Sequence, residues 1–284
     1  MKRLNPLNDF LFLKLMGEEG NEVQCLSFLN AVLSSKNKNP IKLIKILENK
    51  TFTAEIIGDK SCILDVRAQT DKGERINIEV QLNDLHNIEK RTLYYWSKEY
   101  TKSIGKGDDY IDLPKVININ IVNFDNIKID DFHTCFHLWE DDNKDYLLTD
   151  VLEIHFINMI KYKMLKIKDK ENRFAEAGPL IRWLTFLDKD SSEDELEEVI
   201  KMDVAISIAN ERLNFVSQDQ DLIQIYEARE KALRDQTEIH NTGFTKGKME
   251  VAKNALSEGF SLESIHKITG LDIETIKSLN LKSK

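Results

Sequence analysis

The stretch ILDVRAQTDKGERINIEVQL, residues 63–82, sets two acids and a glutamine among isoleucines, leucines and valines. Asp71-Lys72-Gly73 supplies a turn signal, with Gly73 suited to the left-handed position of a three-residue loop. Such a loop sets Thr70 opposite Glu74. Counting back, Ala68 then pairs with Ile76, Val66 with Ile78 and Leu64 with Val80, so every pair on that face is apolar. On the other face Asp65 falls across from Glu79, and Gln81 stands two residues further along the same strand, hence on the same side. Two carboxylates in direct cross-strand opposition repel each other, and a plain structural sheet gains nothing from them. A divalent cation removes the penalty, because hard oxygen ligands at a fixed spacing are what magnesium or manganese takes. The plainer reading is a hairpin with one wet face on which two acids happen to lie opposite, and the Asp, loop, Glu-x-Gln spacing by itself does not exclude it.

A chain of 284 residues with 41% hydrophobic content has room for two globular domains of ordinary size. The segment FLFLKLM follows Asp9 and is broken by Lys14, which makes it too short and too charged for a signal-peptide core. No later run reaches membrane-spanning length, so a cytoplasmic protein without a membrane partner is expected. Cys25, Cys62 and Cys135 are odd in number and widely spaced, which fits reduced, mostly buried thiols better than a disulfide framework or a four-cysteine zinc site. A net charge of −9 argues against a protein that coats nucleic acid. The distribution changes that reading: residues 1–124 carry 18 Lys and Arg against 17 Asp and Glu, and the remainder 22 against 32. A near-neutral first part can still present a local basic stripe, whereas the acidic remainder suits solvent or protein contact.

Along the chain, NDFLFLKLMGEEGNEVQCLSFLNAVL reads as two helices broken near Gly17 to Gly20, the first capped by Asn8 or Asp9. The sheet is expected to begin within 41–57. After the hairpin, Leu93, Trp96, Tyr100 and Ile104 form an apolar stripe at helical spacing that should pack on the sheet. Ile117, Ile119 and Ile121 then alternate with asparagines in a strand that starts after Pro114, so the helix makes a crossover connection. His133-Thr134-Cys135-Phe136-His137 invites a metal reading, since in a strand both histidines and the cysteine share a face. Zinc would lack a nearby fourth ligand and the usual spacing, and an ordinary strand with half-buried polar groups is preferred. From Leu147 onward the pattern reads as mostly helical, over 150–165, 171–187, 193–215 and 219–239. In the tail, Gly259 ends one helix, Ser261 caps a second with Ile265 and Ile268 inward, and Gly270-Leu271 turns into a third capped by Asp272. This helix-turn-helix pattern carries little positive charge and no arginine, so a small packing or dimerisation unit is favoured over DNA reading.

NDFLFLKLM, the hairpin, KRTLYYWSKEY and SEGFSLESIHKITGLDIETIKSL together resemble the PD-(D/E)XK nuclease family transposases, of the recombination-promoting nuclease group. The resemblance spans most of the chain, and the hairpin and the KR-x-LYYW helix are its specific parts. It implies an α/β fold, a restriction-endonuclease-like core of mixed sheet flanked by helices, followed by a mostly helical C-terminal region. It also implies magnesium-dependent cleavage of DNA, with manganese as a substitute. Asp65 takes the place of the motif's aspartate and Glu79 that of its second acid, while Gln81 stands where many members of the superfamily carry lysine. Leu64 occupies the position of the name-giving proline. Asp9 resembles the family's N-terminal acid, within reach of a metal-bound water, although a helix cap explains it equally.

The chemistry agrees with the residues. Asp65 and Glu79, with the backbone carbonyl of Val80, are expected to hold the ion, and Gln81, which carries neither proton nor charge, can only orient a water. Arg91, Tyr94, Lys98 and Lys102 recur at i, i+3, i+7 and i+11, a stripe able to touch DNA phosphates or simply a solvated face. The expected organisation is a nuclease-like core over 1–140, a helical region over 141–240 that offers a homo-oligomer contact, and a helix-turn-helix-like tail over 241–284. A catalytically silent DNA-binding or protein-interaction module that keeps the fold is the alternative.

Overall fold

The computed structural model describes residues 3–34, 40–47, 65–84, 87–105, 107–125, 127–168 and 178–281. Strands β2 (Val66–Thr70) and β3 (Arg75–Gln81) form the hairpin in the expected register, Val66 opposite Ile78 and Ala68 opposite Ile76. Gly73 turns it with φ of 83°, a conformation that residues with a Cβ rarely adopt. The expected Leu64–Val80 pair lies outside the described residues, as does Cys62. Helix α3 (Ile88–Thr101) then crosses over to β4 (Val116–Val122), which pairs parallel with β3. Among the described residues, β1 (Ile44–Ile46) forms one edge, and β6 (Leu147–Asn158) and β5 (His133–Trp139) complete the sheet in the order β1-β2-β3-β4-β6-β5.

The period of two divides the sheet's chemistry. Ile76, Ile78, Ile117, Ile119, Ile121 and Ile157 point to one face, where helices α1 (Asp9–Met16) and α2 (Glu22–Leu33) bring Phe10, Leu11, Phe12 and Phe28 into the main core. Phe28 lies edge-on to Trp183 at 5.8 Å, and such aromatic pairs add about 0.5–1.5 kcal/mol beyond their buried area. The other face carries Asn77 and Glu79 of β3, Asn118 and Asn120 of β4, and Leu152, Ile154 and Phe156 of β6 beneath α3. Thr92 Oγ1 donates to Asn120 Oδ1 at 3.0 Å. Asn118 Nδ2 donates to the Thr92 carbonyl at 3.3 Å, and Asn120 Nδ2 to the His155 carbonyl at 3.0 Å. These buried asparagines decide which side of α3 turns inward. Ile88, Thr92 and Trp96 face the sheet, and Leu93, expected in the buried stripe, is 50% exposed because a leucine there would leave the amides without partners.

The region after Leu147 begins with a strand rather than a helix. In LEIHFIN, Leu152, Ile154 and Phe156 alternate with Glu153, His155 and Ile157, and both faces are buried. The expected boundary at residue 140 therefore falls between two paired strands of one sheet. Helices α4 (Met159–Lys168), α5 (Pro179–Leu187), α6 (Glu193–Met202) and α7 (Val204–Gln218) follow. Pro179 starts α5 at its first turn instead of lying inside a helix, and Asp203 caps α7 and so divides the expected 193–215 helix. Helix α8 (Gln220–Ser257) comes next.

Two compact units divide at Glu230. In the second, residues 231–284, helices α9 (Leu262–Thr269) and α10 (Ile273–Leu281) bury Ala252, Ile265, Ile276 and Leu279. Ser261 caps α9, Gly270 closes it with φ of 68°, and Asp272 Oδ1 accepts from the Thr275 amide. Ile268, expected inward, is 63% exposed, and Thr269 takes the inward position one residue on. No helix among the described residues is long and apolar enough to cross a membrane.

Candidate metal centre

The structure brings Asp65 and Glu79 together at the open end of the hairpin. Glu79 is 4% exposed and Asp65 half-buried. Burial, and after it the charge of Glu79, pushes the Asp65 carboxyl up to about 7, against the opposing influence of Arg91, a hydrogen bond from Asn77, and Arg67. Glu79 is raised too, again chiefly by burial, with Arg91 opposing and the charge of Asp9 adding to the rise. Two acids of one site that both resist ionisation form a donor set that lacks positive charge, and a divalent cation fits it.

Arg91 supplies part of that charge. Its Nη2 donates to Glu79 Oε1 at 2.5 Å, and its guanidinium stands 5.5 Å from the Tyr95 ring centroid. Burial and the neighbouring acids outweigh Arg91 and raise the Tyr95 hydroxyl's pKa. Of the expected basic stripe, Arg91 thus points into the site, while Tyr94, Lys98 and Lys102 lie on the outer face of α3. Lys98 Nζ stands 5.4 Å from the Tyr94 ring centroid, and Lys102 is 3.3 Å from Glu99, which also binds Arg67 at 2.7 Å. Gln81 is half-buried at the strand end, its Nε2 donating to the Asn83 carbonyl at 3.0 Å. The Val80 side chain is buried on the apolar face.

Asp9 does not cap α1; Asn8 does, accepting from the Leu11 amide. Both Asp9 oxygens are instead held by Arg229 of α8, with Nε at 2.9 and 3.1 Å and Nη2 at 2.6 Å. Glu230 accepts from the Asn8 amide at 2.8 Å beside this pair. Asn77 was recoverable from the sequence, since period two puts it on the face of Glu79. Arg229 was not, because 220 residues separate it from Asp9 and no local pattern links them.

The raised carboxyls set a pH dependence in metal-free protein. Folded, Asp65 and Glu79 keep their protons to higher pH than they do unfolded. At acid pH both states are protonated and nothing is lost; above the ordinary carboxylate range the unfolded chain ionises while the folded site resists. Stability should therefore fall as pH rises towards about 7 and level off beyond it. Melting temperatures measured from about pH 5 to about pH 8 should fall less steeply for Asp65→Asn than for wild type. Equal slopes would remove Asp65 from the charge balance.

A family model described as PD-(D/E)XK nuclease family transposase matches residues 6–243, a span that contains Asp9, the hairpin, α3 and Arg229. No curated protein and no solved structure matches the chain.

Proposed function

Since the chain belongs to the PD-(D/E)XK nuclease family transposases, we propose that it is a magnesium-dependent DNA endonuclease, with manganese able to substitute, that hydrolyses phosphodiester bonds at Asp65 and Glu79. The observation that carries this reading is the convergence of two acids, both with raised pKa, at the end of one hairpin. Asp65, Glu79 and the Val80 carbonyl would hold the ion. When bound, it would acidify a water and offset charge on the scissile phosphate. Gln81 would orient that water through Oε1, its Nε2 being engaged by Asn83. Asp9, clamped by Arg229, would act through its charge on Glu79 rather than as a ligand. Arg91, on leaving Glu79, would offer a planar guanidinium to a DNA phosphate.

Plasmid cleavage with magnesium, and with magnesium plus chelator, tests the reading: cutting is expected only in the first. One observation favours the silent alternative. Arg91 already satisfies a Glu79 oxygen, and the lysine position is Gln81. Absence of metal-dependent cutting together with intact DNA binding would establish that alternative. The cytoplasm as location and a homo-oligomer through the helical C-terminal region complete the proposal.

The outer face of α3 gives a separate prediction. Lys98→Gln with Lys102→Gln should weaken DNA binding and lower the slope of log affinity against log salt by about two, close to one per lost phosphate contact. Binding isotherms at several salt concentrations measure it, and an unchanged slope would return this face to solvent.

A further inference from the structure

On the sheet face opposite Asp65 and Glu79, β5 and β6 assemble a second group of ligand-bearing side chains. Cys135 pairs with His155 across the two strands, and the ladder shifts register between Phe136 and Leu138, next to His137. Cys135, His137 and Glu153 each offer one ligand atom within 4.8 Å of the others. Cys135 Sγ stands 3.7 Å from His137 Nδ1 and 3.7 Å from His155 Nε2. His155 Nε2 is 2.7 Å from Glu153 Oε1. In a tetrahedral site with bonds of about 2.0 to 2.3 Å, neighbouring ligand atoms stand roughly 3.3 to 3.6 Å apart, so the two sulfur–nitrogen distances need only small adjustment, while His155 Nε2 has to draw back from Glu153 Oε1 as the ion replaces the hydrogen bond between them. The ligands missing from the HTCFH spacing, Glu153 and His155, come from β6, with His155 twenty residues from Cys135 in sequence and adjacent to it in the ladder.

We propose that Cys135, His137, Glu153 and His155 form a zinc site that ties edge strand β5 to β6. A thiolate and two imidazoles select a borderline-soft ion over magnesium, which separates this site from the carboxylates on the other face. A thiolate and a carboxylate together neutralise the dication, which lowers the cost of holding it in a half-buried position. Outer partners are in place for two of the ligands. Lys115 Nζ holds Glu153 Oε2 at 2.5 Å and leaves Oε1 to the ion, and His133 Nε2 lies 3.0 Å from His155 Nδ1. With His155 Nε2 on the ion, the ring proton resides on Nδ1 and donates to His133, which orients the imidazole. Zinc binding then forms the sulfur–zinc bond as the Cys135 thiol releases one proton to the buffer.

The test uses the full chain purified in magnesium-free buffer, with zinc measured by elemental analysis and cobalt(II) as a spectroscopic replacement. One zinc per chain is expected in wild type and equally in Asp65→Ala/Glu79→Ala, and the cobalt form should show a thiolate charge-transfer band. Cys135→Ser should lose that band while its circular dichroism stays native; if the serine variant does not fold, His137→Gln should keep native circular dichroism and bind zinc more weakly than wild type, and unchanged zinc affinity in it would overturn the proposal. His133→Ala should keep the stoichiometry and weaken affinity by about 10- to 100-fold. Substoichiometric zinc in wild type, or a band that survives Cys135→Ser, would overturn the proposal. Zinc lost from Asp65→Ala/Glu79→Ala and retained by Cys135→Ser would overturn it as well, by moving the ion to the other face.

Discussion

Replacing Asp65 by alanine is expected to reduce magnesium-dependent cleavage of plasmid DNA on the order of a thousandfold and to leave the metal-free melting temperature equal or higher. The two effects have one source. A carboxyl pushed up to about 7 by burial and by Glu79 is a group the fold holds against its own preference, so its removal relieves repulsion. On the proposed reading, losing a metal ligand would remove the acidified water and the charge balance at the phosphate. Glu79→Ala should be equally inactive but less stable, because it strips Arg91 of its partner at 2.5 Å and strands a half-buried guanidinium, a loss on the order of 1–3 kcal/mol. Gln81→Ala should be milder in rate, since an orienting amide contributes less than a ligand. Added magnesium should raise the melting temperature of wild type and of neither acid variant, because only a complete site binds it. Cleavage and thermal unfolding on the same preparations decide the matter. Alanine variants that cut like wild type would return both acids to the scaffold.

The second large effect is expected away from the two acids of the hairpin. Arg229→Met should destabilise the first unit by about 3–5 kcal/mol, the usual result of leaving one charge of a buried pair uncompensated. Arg229 is 3% exposed, and its guanidinium meets both oxygens of Asp9, itself 9% exposed. The double variant Asp9→Leu/Arg229→Met should recover most of the loss, since an apolar pair of similar volume removes the unpaired charge. All three tryptophans, Trp96, Trp139 and Trp183, precede residue 231, so their fluorescence in urea reports this unit. A double variant no more stable than the single one would mean that Arg229 contributes packing rather than charge.

The hairpin was readable because its register is over-determined locally: the Gly73 turn and the apolar match of Val66 with Ile78 and Ala68 with Ile76 agree. The crossover to β4 and the caps at Asn8, Ser261 and Asp272 were readable for the same reason, each being set by residues within one turn. β6 was misread because Leu152, Phe156, Met159 and Ile160 also fall at i, i+4, i+7 and i+8 and run on into α4, a helical spacing that competes with the period-two alternation of Leu152, Ile154 and Phe156 with Glu153 and His155. At the site, the two acids followed from period two, but their cationic partners did not. Arg91 looks the same in sequence whether it faces solvent or Glu79, and Arg229 reaches Asp9 only through the tertiary fold. The cluster around Cys135 was hidden likewise, since His155 becomes its neighbour only through strand pairing.

The asparagine ladder under α3 also bears on how the chain reaches this structure. Asn120 of β4 is bonded by Thr92 on one side and by the His155 carbonyl of β6 on the other, and Asn118 donates to the Thr92 carbonyl. A slip of β4 by one residue would turn both amides towards Ile76, Ile78 and the helices of the main core, and would break the bonds to α3 and β6 together. Runs of alternating isoleucine otherwise tolerate several alignments, and parallel strands must close a long loop before any contact rewards them. The ladder makes wrong alignments costly at the stage when the crossover helix docks, so helix docking and the choice of strand partner become one cooperative event on the folding path, and the misaligned, edge-exposed species that seed aggregation are kept scarce.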